Sequence, residues 1–434
     1  MDKNNGAIYD ARKLGKPKMI ILGVQHMFAM FGATILVPIL TGLDISTTLL
    51  MAGLGTLLFH CITKFKVPAF LGSSFAFLGG YAAIKAFSPN DPNSMLPYAC
   101  LGVACAGLIY FILAAVIKAV GIEKVMRFFP PVVTGPIIIA IGLGLAPSAV
   151  SNCTTNWFLA VVALAVIIVF NIWGKGMAKI IPIILGLLIS YGTGLVLYFI
   201  SQANPDLIQN VPWLFSGGAD ANGVYQPIFD FTSLNTICDN ISKGHIFGSE
   251  GLIGIPIHWD KTVFGGIDYS NGALIASSII AIVPIAFATM MEHIGDICAI
   301  SSITGNNYIK DPGLHRTLVG DGLATTLASL FGGPANTTYG ENTGVLALTR
   351  VYDPRVIRIA AYFAVAVSFF PIVSVIIGSI PSCIIGGISF VLYGMISAIG
   401  VRNVVENKVD FTKSRNLIVA AVILVCALGL SSDT

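Results

Sequence analysis

The sequence predicts an all-α polytopic membrane protein whose two halves form an inverted 7+7 transmembrane repeat. Three observations predict it. Of 434 residues, 55% are hydrophobic and only 10% charged, whereas a soluble domain carries about 25% charged residues. Thirteen apolar runs approach the length of about 20 residues that crosses a bilayer core. Basic residues alternate with those runs as cytoplasmic loops require. The same composition excludes other classes. A net charge of +3 without a basic run does not describe a nucleic-acid binder. Eight cysteines are scattered singly, with no CxxC or Cys/His cluster, so neither a disulfide framework nor a metal site is expected. No nucleophile–base pair or cofactor motif points to an enzyme.

The runs lie at 19–40, 46–63, 68–87, 96–117, 129–149, 157–173, 178–200, 271–299, 315–333, 334–349, 356–378, 383–400 and 416–430. Residues 1–18 are polar and basic, and the first run is too long for a signal peptide, so it reads as a retained span. With the N-terminus inside, all but Lys85, Lys243 and Lys261 of the 24 Lys and Arg residues fall in cytoplasmic segments, Lys3 and Arg127 among them. The polar stretch 201–270, with seven acids and two lysines, is then external, either as a cap or as a variable insertion. Asn152-Cys153-Thr154 fits a glycosylation sequon but stands alone and is set aside.

Two runs differ from the rest. Each opens with a proline and carries a hydroxyl-rich patch: Gly72-Ser73-Ser74-Phe75-Ala76 after Pro68, and Thr337-Thr338-Tyr339-Gly340-Glu341 after Pro334. Polar, helix-breaking backbone at membrane depth is tolerated only where it is buried in protein or lines a cavity. The two patches also mark a repeat. Gln25-His26 corresponds to Glu292-His293, and Pro130-Pro131 to Pro381. Seven runs precede the external stretch, so the second copy enters the membrane from the opposite side, as in secondary transporters with a midplane site. The chain divides into a cytoplasmic N-terminus (1–18), a first repeat (19–200), the external stretch (201–270) and a second repeat (271–434). Six runs follow the stretch instead of seven; the last span is expected to be missing, by truncation or as a natural variant.

Four acids fall inside runs: Glu292, Asp296, Asp321 and Glu341. Glu292 and Asp296, four apart, share one helix face. A carboxylate in the bilayer costs at least ~2.5 kcal/mol, so a proton, a partner or a ligand donor must compensate. Loss of water favours the neutral acid. A proton-coupled mechanism is therefore expected, with Glu292, Asp296 and Glu341 as its carriers; the plainer reading is an acid that caps a broken helix. Asp321 could simply tether the broken segment. His26 is placed on the substrate pathway and His293 off the Glu292 face, although a lone histidine is often packed structure. Phe75, Tyr339 and Tyr393 could stack on a planar ligand or merely pack. Gly340 and Ala76 admit close backbone approach. Carboxylates accept from N–H groups, and helix N-termini donate to carbonyls. A small, flat, neutral molecule with alternating N–H and C=O edges satisfies both.

Several strings carry a family resemblance. They are Gln25-His26-Met27-Phe28-Ala29-Met30-Phe31-Gly32-Ala33-Thr34, Leu71-Gly72-Ser73-Ser74-Phe75-Ala76-Phe77, Asp311-Pro312-Gly313-Leu314-His315-Arg316, and Asn336-Thr337-Thr338-Tyr339-Gly340-Glu341-Asn342 through Thr349-Arg350. The chain resembles the nucleobase–ascorbate transporter family (nucleobase:cation symporter 2), its bacterial uracil-transporting branch in particular, from about residue 15 to 430 apart from 201–270. The resemblance implies 14 spans and two short antiparallel β segments in discontinuous spans 3 and 10. It implies a core domain from spans 1–4 and 8–11 and a gate domain from spans 5–7 and 12 onward. It assigns base contacts to Glu292 and Glu341, backbone amides to Phe75 and Gly340, and further pocket positions to Tyr339 and Tyr393. Ser74 and His26 complete the expected substrate-binding set. Purine-type relatives usually show glutamine where Glu341 stands, which favours a pyrimidine. The family histidine four residues after the span-8 glutamate is Asp296 here.

The expected function is proton-coupled import of uracil by alternating access across a bacterial inner membrane, with no cofactor or metal and with a possible homodimer. Two alternatives stay open. One is a purine or xanthine permease on the same fold. The other is an anion exchanger or channel of the sulfate/bicarbonate type, which would not favour acids facing its ligand.

Overall fold

In the computed structural model, residues 7–121, 124, 125 and 130–431 are described. Lys3 and Arg127 of the basic set, and the terminal 432–434, lie outside the described residues. Helices α1 (Lys16–Thr41) and α2 (Ile45–Ile62) open the chain. Gly42, in the left-handed region at φ 83°, ends α1, and the Asp44 carboxylate caps α2 by accepting from the Thr47 N–H at 2.7 Å. Strand β1 (Leu71–Ser73) and the short helix α3 (Leu78–Lys85) follow, then α4 (Leu96–Val120), α5 (Pro131–Cys153), α6 (Trp157–Trp173) and α7 (Pro182–Ala203).

The stretch 201–270 holds a hairpin, β2 (Ser216–Ala219) with β3 (Tyr225–Pro227), and α8 (Thr232–Ser242). The second half runs α9 (Gly272–Ile282), α10 (Ala286–Thr304), α11 (Leu314–Leu330), β4 (Asn336–Thr338), α12 (Gly340–Thr349), α13 (Pro354–Ser368), α14 (Pro371–Gly378), α15 (Ser382–Glu406) and α16 (Ser414–Ser431).

Among the described residues, seven helical stretches are long and apolar enough to cross a membrane, and the bent pair α13–α14 makes an eighth. The remaining expected spans are short, broken or polar. Helix α11 buries Thr317, Asp321, Thr325, Thr326 and Ser329, which lowers its hydropathy without leaving it in water. Two runs that read as single spans are interrupted. Residues 271–299 break at a 3₁₀ turn, Val283–Ile285, around Pro284. Residues 356–378 bend by 86° between α13 and α14, where Pro371 has no N–H to continue the ladder.

The helices gather into two units. The first holds α1–α4 and α9–α13; the second holds α5–α8, α15 and α16. In the first unit α4 and α11 cross in near backbone contact: a Cβ on Gly322 would stand 2.6 Å from the Gly107 carbonyl. Small residues at such crossings let backbones meet where lipid supplies no hydrophobic drive. In the second unit Ser397 donates from α15 to the Ile139 carbonyl of α5 (3.1 Å), and Asn403 to the Thr134 hydroxyl (3.0 Å).

The stretch 201–270 is divided between the units. Its early part belongs with the second, where the Asn156 amide donates to the Ser216 carbonyl (2.9 Å) and Phe229 stacks on Phe231 at 5.2 Å. Its later part belongs with the first. There Thr47 donates to the Pro256 carbonyl (2.8 Å) and the Asp268 N–H to the Tyr98 hydroxyl (3.0 Å).

Candidate functional site

The site grows from the two proline-led segments. Strands β1 and β4 pair antiparallel in a three-residue ribbon, Leu71 with Thr338, Gly72 with Thr337 and Ser73 with Asn336. The ribbon extends at both ends, through Ser74 N–H to the Ala335 carbonyl (2.8 Å) and Tyr339 N–H to the Phe70 carbonyl (3.1 Å). Among the described residues neither strand has another partner strand, so each satisfies the other's backbone groups where water is absent. Each strand is followed within five residues by a helix, α3 or α12. Their N-terminal amides therefore flank the ribbon with the positive ends of two helix dipoles. Glu341 stands in the first turn of α12, where a carboxylate is favoured.

Helix α10 brings the other acids. The Thr338 hydroxyl donates to Asp296 Oδ2 at 2.7 Å. Glu292 lies close enough to Asp296 and Glu341 for their charges to interact. Glu292 and Gly340 are exposed, while Phe75, Asp296 and Glu341 are partly exposed. No described atom would touch a Cβ added at Gly295, Gly340 or Gly344 within 4 Å. Acids and helix N-terminus thus face open space on the first unit.

Behind this face lies a buried polar layer. His293 and Asp321 are both 0% exposed and approach at 3.3 Å, Nδ1 to Oδ2. The His293 ring meets Phe59 edge-on at 6.2 Å. Tyr110 donates to the Thr289 hydroxyl at 2.6 Å. Gln25 Oε1, Ser74 Oγ, Thr337 Oγ1 and Asn342 Oδ1 are buried with no hydrogen-bond partner among the described residues. Buried polar atoms are nearly always paired, so such a concentration beside the ribbon marks a place for polar occupants.

Glu292, Asp296, Glu341, Gly340, Ser74 and Phe75 stand in or beside the ribbon and the acidic face. Tyr339 and His26 sit behind it. The Tyr339 ring packs on Gly72, its hydroxyl donates to the Ser73 carbonyl (2.9 Å), and Thr34 donates to that hydroxyl (3.3 Å). His26 is fully buried; the Asn342 amide donates to its carbonyl at 3.0 Å and lies 3.2 Å from its Nδ1, fastening α12 to α1. Tyr393 is buried on α15 of the second unit. Sequence reasoning had not singled out Asn342, Thr338 or Thr34 as anchors, although all three stand inside the strings quoted above. Among the described residues, no group of three or more His, Cys, Asp and Glu side chains is arranged to hold a metal ion.

Residues 17–434 match the family model Xan_ur_permease, described as a permease family. The uracil permease of Bacillus caldolyticus is 39% identical over 94% of this chain and 85% of its own length. That of Bacillus subtilis (strain 168) is 38% identical over the same shares. The putative pyrimidine permease RutG of Escherichia coli (strain K12) is 35% identical over 98% of this chain and 86% of its length. Among solved structures, the transmembrane domain of a cyanobacterial bicarbonate transporter, BicA, superposes with a TM-score of 0.64 at 12% identity, covering 98% of both chains. SLC26A9 gives 0.53 at 10% identity over 97% of this chain and 63% of its own. At that identity the likeness speaks for the fold alone: a helical 7+7 inverted repeat with short antiparallel strands.

Proposed function

The chain belongs to the Xan_ur_permease family, and on that premise we propose that it is a uracil permease that carries a proton with its substrate. It is a transporter and not an enzyme. The observation that carries the reading is that Glu292 lies within electrostatic range of Glu341, which stands in the first turn of α12. Uracil has N–H and C=O groups alternating around a flat neutral ring. Its N–H edge suits the Glu292 carboxylate, and its carbonyls suit the amides at Phe75 and Gly340. A hydrogen bond to a charged group contributes about 1.5–3 kcal/mol, so this one contact accounts for a tenfold to hundredfold share of affinity.

The proton enters the reading through crowding. Three carboxyl groups that share one small region are more stable when at least one is neutral. Asp296 is held by Thr338 and Glu341 by its helix end, which leaves Glu292 as the acid that takes a proton as the base binds or leaves. The first unit serves as the core that holds substrate, and the second as the gate that moves against it during alternating access. The N-terminus is cytoplasmic, the membrane is the bacterial inner membrane, and the working form is a dimer.

Uptake of radiolabelled uracil into proteoliposomes tests the reading. Uptake is expected to rise with an inward proton gradient and to collapse with a protonophore. Competition by xanthine and not by unlabelled uracil would move the substrate assignment to purines. Ionic current without nucleobase uptake would replace it with an anion pathway.

A further inference from the structure

We propose that the cytoplasmic end of the first unit binds a phosphate group, supplied in the membrane by the headgroup of an anionic phospholipid. Where α4 ends and α11 begins lies an open cavity of about 270 Å³. Lys118, Lys310 and His315 line it together with Ile117, Ile309 and Leu314, and among the described residues no acid does. Three nearby cations are already engaged. Lys66 pairs with Asp311 at 2.5 Å, Arg316 donates to the Ile62 carbonyl at 3.3 Å, and Arg358 lies 4.8 Å above the Phe65 ring. Lys118 and Lys310 are exposed and have no acidic partner among the described residues. His315 is near enough to Lys118 and Arg316 to feel both charges. Like charges gathered without a counter-ion repel one another and focus a positive potential into the cavity.

An anion resolves that repulsion. Helix α11 adds to the attraction, because Gly313 gives its first turn no side-chain cap. The apolar lining decides the source. Ile117, Ile309 and Leu314 offer a surface that free phosphate leaves uncovered and that a glycerol and upper acyl chain fill. Basic pockets between spans on the cytoplasmic side are known places for anionic headgroups.

The proposal rests on the cytoplasmic reading of this end. Its test in detergent is blind to sidedness, so its failure is separable from failure of the transport reading. Thermal unfolding of the purified protein is followed with added phosphatidylglycerol, phosphatidylcholine or inorganic phosphate, and co-purified lipid is counted by native mass spectrometry. The proteins compared are wild type, Lys118→Gln/Lys310→Gln and a control, Lys175→Gln/Lys179→Gln. Phosphatidylglycerol is expected to raise the melting temperature of wild type and control but not of the Lys118/Lys310 variant, which also loses its bound lipid. An equal rise with inorganic phosphate would overturn the lipid as the source. A Lys118/Lys310 variant that responds to phosphatidylglycerol as wild type does overturns the site.

Discussion

The two broken segments share a frame and differ in charge. Each has a proline, an extended strand, a hydroxyl patch and a short helix. The first, β1–α3, brings no acid; its charged residue is Lys85, which donates to the Thr41 carbonyl at 3.0 Å and closes the C-terminus of α1. The second, β4–α12, carries Glu341 and receives Asp296 through Thr338. Every acid within a predicted span lies in the second repeat. One repeat thus supplies a scaffold of amides, and the other supplies the acids. Symmetry of the backbone does not extend to the chemistry.

That asymmetry is open to attack from the acidic side first. Glu292→Gln is expected to cost about tenfold to hundredfold in uracil binding, read by thermal-shift titration. Binding at wild-type affinity by a well-folded variant would remove Glu292 from the site. Next comes Thr338→Val, which leaves Asp296 without its donor. A hydrogen bond to a charged group contributes about 1.5–3 kcal/mol, so uptake should fall roughly tenfold while its proton dependence changes shape. An unchanged profile would make the Thr338 contact incidental.

The scaffold side should answer in stability. Gly72→Ala drives a methyl group into the Tyr339 ring, and overpacking of this kind costs about 1–3 kcal/mol. Its melting temperature should drop, with the preference for uracil over xanthine preserved. Altered preference would show that the scaffold half reads the substrate as well. Lys85→Met removes the cation at the end of α1, an effect of about 0.3–1 kcal/mol, visible as a small loss of melting temperature and no loss of uptake.

The smallest effect is expected at Asp10, which caps a short 3₁₀ turn ahead of α1. Arg12 beside Asp10 holds that carboxyl well below the usual range, chiefly through a side-chain hydrogen bond. A depressed acid contributes stability above its unfolded range and loses it only as pH falls through the folded value. Asp10→Asn should therefore lower the melting temperature slightly and by the same amount across about pH 5–7. A loss that grows or vanishes within that window would contradict the assignment.

Much of this frame was legible in the chain. Hydropathy located the longer helices, and α6 matches its predicted limits at 157–173. The two hydroxyl patches located the ribbon because polar backbone has few places to go in a membrane. Breaks at Pro284 and Pro371 were visible as prolines within apolar runs, but hydropathy averages over a window and does not register a bend. The pairing of His293 with Asp321, or of His26 with Asn342, was not legible. Those contacts join helices distant in sequence, and no local pattern encodes which faces meet. Tyr339 illustrates the limit well. Its place beside Gly340 made it a stacking candidate, yet the absent side chain of Gly72 gives its ring a berth inside the protein.

The ribbon has a consequence for biogenesis. Its first strand emerges from the ribosome more than two hundred and fifty residues before its partner. Until residues 336–338 arrive, the amides and carbonyls of Leu71–Ser73 have no strand to meet them. The first repeat must wait in the translocon or membrane as an unfinished insert, sheltered by other protein or by water. Late delivery of β4 closes it, so the proposed binding face is among the last parts of the molecule to assemble.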